Sequence, residues 1–207
     1  MELNKLIKES EQTEWDFGNK ILYDLCRENF KHDRIDKIIA KVWLIGRAYA
    51  VAIERRKNKA ESNDIFYTKK IGPKLQNSKI DFYLEQIKSE KNITENNISN
   101  ILQTHSYLTV LLKDLTDQNK RSFSSKYLHF HLPELFFIYD SRAVKSIGKL
   151  KIKIPEKFKN ELNSNKIDFE YASFFYKCYI LKTRIENEQN RVLTTRQIDN
   201  RLMEIDS

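Results

Sequence analysis

Two ionisable residues, Lys126 and Asp140, stand 14 positions apart in the stretch SFSSKYLHFHLPELFFIYDSRAV, which runs from Ser122 to Val144. A lysine amine becomes a nucleophile once it loses its proton, and a fixed carboxylate stabilises positive charge that develops beside it. Ser124 or Ser125 is a suitable N-cap, which places Lys126 in the first turn of a helix that Pro133 ends. The helix dipole repels a cation there and lowers the lysine pKa. The next segment, PELFFIY, is almost wholly apolar, so it must enter the core, and it delivers Asp140 to the start of a second helix, DSRAVKSIG. Asp140 is also an apt N-cap, with Tyr139 and Val144 at hydrophobic-staple positions. A capping role alone therefore accounts for it on local grounds.

Helices must position this pair. The chain has 207 residues, 40% hydrophobic and 32% charged, with only 4 Gly and 3 Pro. This balance predicts an all-α, single-domain helical bundle over residues 1–207, divisible into lobes at about 1–92 and 93–207. An early helix is expected in EWDFGNKILYDLCRENF. The clearest follows in RIDKIIAKVWLIGRAYAVAIERRKNK, where Ile35, Ile38, Ile39, Val42, Gly46, Tyr49, Ala50 and Ile53 recur at helical spacing. Gly46 and Ala50 would let another helix approach closely, while Trp43 and Arg47 share a different side. Gly72-Pro73 predicts a break and an exposed connector.

Helices are then expected in KIDFYLEQIKSE and, capped by Thr94, in TENNISNILQTHSYLTVLLKDL, with His105 on the core face as a hydrogen-bonded residue. KLKIKI alternates like a short strand or an extended loop. A later helix presents an aromatic face of Phe169, Ala172, Phe175, Tyr176 and Tyr179. In the last one, Thr194 and Gln197 form a capping box ahead of Ile198, Leu202 and Ile205. Arg196 and Asp199, with Arg201 nearby, have the spacing of surface ion pairs.

A net charge of +8 favours polyanionic partners, although scattered lysines also make an ordinary solvated surface. Two cysteines cannot build a disulfide framework or a four-cysteine metal site, and the pattern fits a cytoplasmic protein without membrane spans. His129 and His131, two apart, point to different sides of a helix, so no metal or other cofactor is expected.

SKYLHFHLPELFFIYDSRAV resembles the catalytic stretch of the helix-hairpin-helix DNA glycosylases, in which a lysine opens the helix after the hairpin and an aspartate caps a following helix. The resemblance covers about a tenth of the chain. It implies base excision from DNA by a monomer, with Asp140 stabilising the sugar cation and Lys126 as nucleophile. The family hairpin carries glycines, whereas NKRSFSSK has none. Ser122, Ser124 and Ser125, with Lys120 and Arg121, take over phosphate contact in this reading. Tyr127, His129 and Arg142 flank the pair and join the candidate substrate-binding set. Trp43, Arg47 and Tyr49 are candidates for lining a base pocket, with core packing as the other account of Tyr49, and the basic run that includes Lys149 and Lys151 for phosphate contact. Without enzymatic activity, the same features fit a helical nucleic-acid-binding or regulatory module.

Overall fold

A computed structural model describes residues 15–56 and 60–205, and the chain there is all-helical, with no strand among the described residues. In order the elements are α1 (Asp16–Glu28), α2 (Ile35–Ala48), α3 (Asn63–Ile65), a π-helical turn (Phe66–Ile71) and α4 (Gly72–Gln76). They continue with α5 (Ile80–Ile87), α6 (Ile98–Thr116), α7 (Arg121–His131), α8 (Ser141–Lys149), α9 (Lys159–Leu162), α10 (Phe169–Gln189) and α11 (Thr195–Ile205). One continuous core extends from Leu22 to Leu202. No helix among the described residues is long and apolar enough to cross a membrane.

α7 is the centre of the bundle. Every residue from Phe123 to His131 is buried, with α1, α2 and α6 packed around it. Such burial suits an apolar helix, yet this one carries Lys126, Tyr127, His129 and His131, so each polar group needs an internal partner. The partners exist. His129 Nδ1 donates to the Phe136 carbonyl at 2.8 Å, and its Nε2 accepts from the Tyr23 hydroxyl at 2.6 Å. His131 Nδ1 donates to the Tyr127 carbonyl at 2.7 Å, while Nε2 accepts from Lys41 Nζ at 3.1 Å. The Tyr127 hydroxyl donates to His32 Nε2 at 2.7 Å, and His32 Nδ1 reaches Asp81 at 2.6 Å. Burial lowers the pKa of all three histidines, which keeps them neutral and fits the assigned tautomers.

The helix through Ile35 stops sooner than its periodicity predicts. α2 ends at Ala48, Ala50 turns to φ 54°, and the chain doubles back with Ala52 and Ile53 buried. A Cβ on Gly46 would stand 3.2 Å from the Ala52 Cα, so this glycine makes room for its own returning chain and not for another helix. Gly72-Pro73 is not a break either. Residues 63–76 are continuously helical, the π-helical turn leads into α4 with Pro73 in its first turn, and a Cβ on Gly72 would meet Ile35 Cγ2 at 2.7 Å. KLKIKI forms no strand: Lys149 ends α8 and the chain beyond it is irregular, with Ile152 buried and Lys151 at φ 49°.

α10 buries Ala172, Phe175 and Tyr176 as expected and packs Tyr179 against the core, adds Tyr171 and Phe174 to the inward side, and leaves Phe169 exposed. His105 is a core residue, stacked on Tyr171 with ring centroids 3.5 Å apart. The capping box of α11 forms as expected. The Thr194 amide donates to Gln197 Oε1 at 2.9 Å, and the Gln197 amide donates to Thr194 Oγ1 at 3.1 Å.

Candidate active site

Lys126 and Asp140 meet where α7 passes the apolar loop. Leu135, Phe136, Phe137 and Ile138 are all buried, so the loop is anchored by its side chains. Its register is then fixed by hydrogen bonds. The Tyr139 amide donates to Ser125 Oγ at 2.9 Å, and Ser125 Oγ donates to the Ser122 carbonyl at 3.1 Å. One position further along both segments, Lys126 Nζ lies 3.8 Å from Asp140 Oδ2. The ammonium also donates to Ser122 Oγ at 2.9 Å and to the Tyr139 carbonyl at 3.3 Å, and it stands 5.9 Å from the centre of the Tyr49 ring.

The pair is asymmetric. Lys126 is 2% exposed, whereas the Asp140 side chain is 30% exposed. Asp140 Oδ1 caps α8 by accepting the Ala143 amide at 2.9 Å, leaving Oδ2 for the lysine. Burial lowers the Lys126 pKa, and the Asp140 carboxylate opposes that shift. The cause differs from the sequence expectation. α7 starts at Arg121 behind an N-cap at Lys120, so Lys126 lies in the second turn, away from the helix end, and dehydration rather than the dipole acts on it.

Other expected contacts fall elsewhere. Ser124, Ser125, Tyr127 and His129 are fully buried and committed to the core, which removes them from surface contact with a substrate; of the three serines, Ser122 alone is partly exposed and touches the lysine. Arg121 is held by Asp168, with Nε 2.7 Å from both carboxylate oxygens. Trp43 is half-exposed on α2, and Arg47 pairs with Glu54. Of the three expected pocket residues only Tyr49 lines a cleft here, one of about 530 Å³, with Leu44 and Ala48 of α2 and with Trp15, Leu22 and Arg196. Arg142 donates to the Met203 carbonyl and Lys149 to the Ile205 carbonyl, each at 3.3 Å, so both serve the C-terminal end of α11. Lys151 is exposed.

The sequence reading missed Asp199. It is 8% exposed, with Oδ2 3.3 Å from Arg196 Nη1, and burial pushes its carboxyl up to about 6. Thr195, Asp199 and Leu202 share the buried face of α11, and that i, i+4, i+7 spacing was the available signal against a surface ion pair. Among the described residues no group of three His, Cys, Asp or Glu side chains is placed to hold a metal ion. Comparison with protein-family models, curated proteins and solved structures finds no match for this chain.

Proposed function

We propose that this chain is a DNA glycosylase-like enzyme that acts as a monomer and excises a modified or damaged base from DNA, in base repair or in defence against phage with modified DNA. The observation that carries the reading is the buried Lys126 ammonium 3.8 Å from the partly exposed Asp140 carboxylate. A nucleotide flipped out of the stack meets Asp140 first. As its base departs, the deoxyribose becomes cationic, and the Asp140 carboxylate, fixed at the start of α8, stabilises that charge. Lys126 lies behind it, with a pKa lowered by burial, which favours the neutral amine that attack on the sugar requires. Attack gives a Schiff base and strand cleavage; guided water gives an abasic site. The net charge of +8 supports DNA as the partner.

Base release from DNAs carrying oxidised, alkylated, deaminated and phage-type hypermodified bases tests this reading. Abasic sites should appear on one class, and borohydride should trap the covalent lysine adduct. Trapping that survives Lys126→Ala contradicts the role of that lysine, and no release from any class contradicts the enzyme.

A second reading, a non-catalytic nucleic-acid-binding module, is favoured by the cap itself. Asp140 Oδ1 is engaged by the Ala143 amide, as an aspartate with only a structural task would be.

A further inference from the structure

Phe169 opens α10 and stays 59% exposed, while Tyr171, Phe174, Phe175 and Tyr176 behind it are buried. One exposed ring is ordinary on a protein surface, but the setting of this one is not. Its backbone is held firmly. The Asp168 carboxylate accepts the Tyr171 amide at 2.9 Å and Arg121 Nε at 2.7 Å, so the ring projects from a fixed helix start.

Phe169 lines a groove of about 490 Å³ between α10, α9 and the chain that follows α8. The floor is apolar: Ile152 and Leu162 are buried and Ile154 is half-buried. Lys153, Lys159 and Lys177 line it as well, and no lining residue is acidic. Lys159 is shared with Glu156 at 2.5 Å, whereas Lys153 and Lys177 make no ion pair among the described residues. Nearby carboxylates are engaged elsewhere. Glu161 accepts from the Tyr176 hydroxyl, and Glu170 pairs with Arg121 at 3.0 Å.

An apolar floor, an exposed ring and lysines without acids match a ligand that alternates flat apolar faces with negative charge, and a nucleic-acid strand with unpaired bases is such a ligand. A duplex keeps its base faces stacked inside, so it would use the lysines and leave Phe169 idle. An acidic peptide would meet the charge but brings no regular stacking partner for the ring. We propose that this groove binds single-stranded DNA, with a base stacked on Phe169 and phosphates on Lys153 and Lys177. Asp140 and the groove stand at opposite ends of α8, which starts behind Asp140 and ends at Lys149. The strand whose nucleotide reaches Asp140 then continues unpaired along α8, which makes single-stranded DNA the substrate form. That last step and the choice of DNA over RNA rest on the base-excision reading; the fit of the groove to a single strand does not.

Fluorescence anisotropy of a labelled oligothymidine tests the groove. Wild type should bind it at low salt, and Phe169→Ala should weaken binding about tenfold. Lys153→Gln and Lys177→Gln should each reduce the slope of log affinity against log salt by about 0.7. The lysine variants decide if Phe169→Ala fails to fold. No binding of oligothymidine, binding that these variants leave unchanged, or equal displacement by polyglutamate, which has charge without bases, overturns the groove assignment. Tighter binding of oligouridine overturns the choice of DNA. Binding that behaves as expected while every modified DNA, single-stranded or paired, keeps its bases overturns the base-excision reading and leaves the groove standing.

Discussion

The Tyr139 amide donates to Ser125 Oγ at 2.9 Å, and this bond sets the register that brings the next residue of each segment, Lys126 and Asp140, to 3.8 Å. Ser125→Ala leaves the amide without its acceptor and frees the loop to slide. Urea unfolding should show a loss of about 1–3 kcal/mol. Base release should fall further than the small unfolded fraction explains.

Gly46 and Gly148 make an internal comparison. At Gly46 an added methyl meets the Ala52 backbone at 3.2 Å, whereas nothing lies within 4 Å at Gly148. Gly46→Ala should therefore destabilise by about 1–3 kcal/mol. Gly148→Ala, inside α8, should stabilise by about 0.5–1 kcal/mol. Thermal melts of the two variants should move in opposite directions.

Lys41 is fully buried, and its ammonium closes the C-terminal end of α1. It donates to the Asn29 carbonyl at 2.7 Å and the Lys31 carbonyl at 3.3 Å, besides His131. Burial lowers its pKa to about 8. Lys41→Met fills the same space but leaves those acceptors unpaired, and chemical denaturation should register a loss of about 2–3 kcal/mol.

Acid should weaken the fold through its buried histidines. Burial lowers the pKa of His105 and His129 from 6.5 to about 3. Between these values the unfolded chain binds more protons, so the contribution is present above pH 6.5 and is lost as pH falls toward 3. Asp199 has the opposite sign: its pKa rises from 3.8 to about 6, so its contribution is full below 3.8 and is lost as pH climbs through 6. His105→Phe keeps the stacking on Tyr171 and removes one titrating group. The fall in unfolding free energy from neutral pH to about pH 4 should be smaller in the variant by on the order of 2–3 kcal/mol.

Local patterns made much of the fold legible. The helical class followed from periodicity and scarce breakers, the α11 capping box from Thr194 and Gln197, and the buried loop from PELFFIY. Tertiary contacts decided the rest. Gly72-Pro73 reads as a break, yet the close approach of Ile35 uses the missing side chain within a helix. Serines read as caps for α7, but the helix starts at Arg121, whose guanidinium pairs with Asp168, and the serines fall inside it. Asp199 was hidden because an i, i+3 pair with Arg196 resembles a surface pattern until α11 is seen to pack on α8 and α10.

The most direct measurement is single-turnover base release by wild type and Asp140→Asn on the modified DNAs that the proposed function names as substrates, with DNA affinity measured in parallel. Asparagine caps a helix as well as aspartate does, so the variant should fold and bind DNA. On the proposed mechanism it lacks the charge that stabilises the sugar cation, and its release rate should fall by about 100-fold or more. Equal rates in the two proteins would contradict the assignment of Asp140 and return it to a capping role.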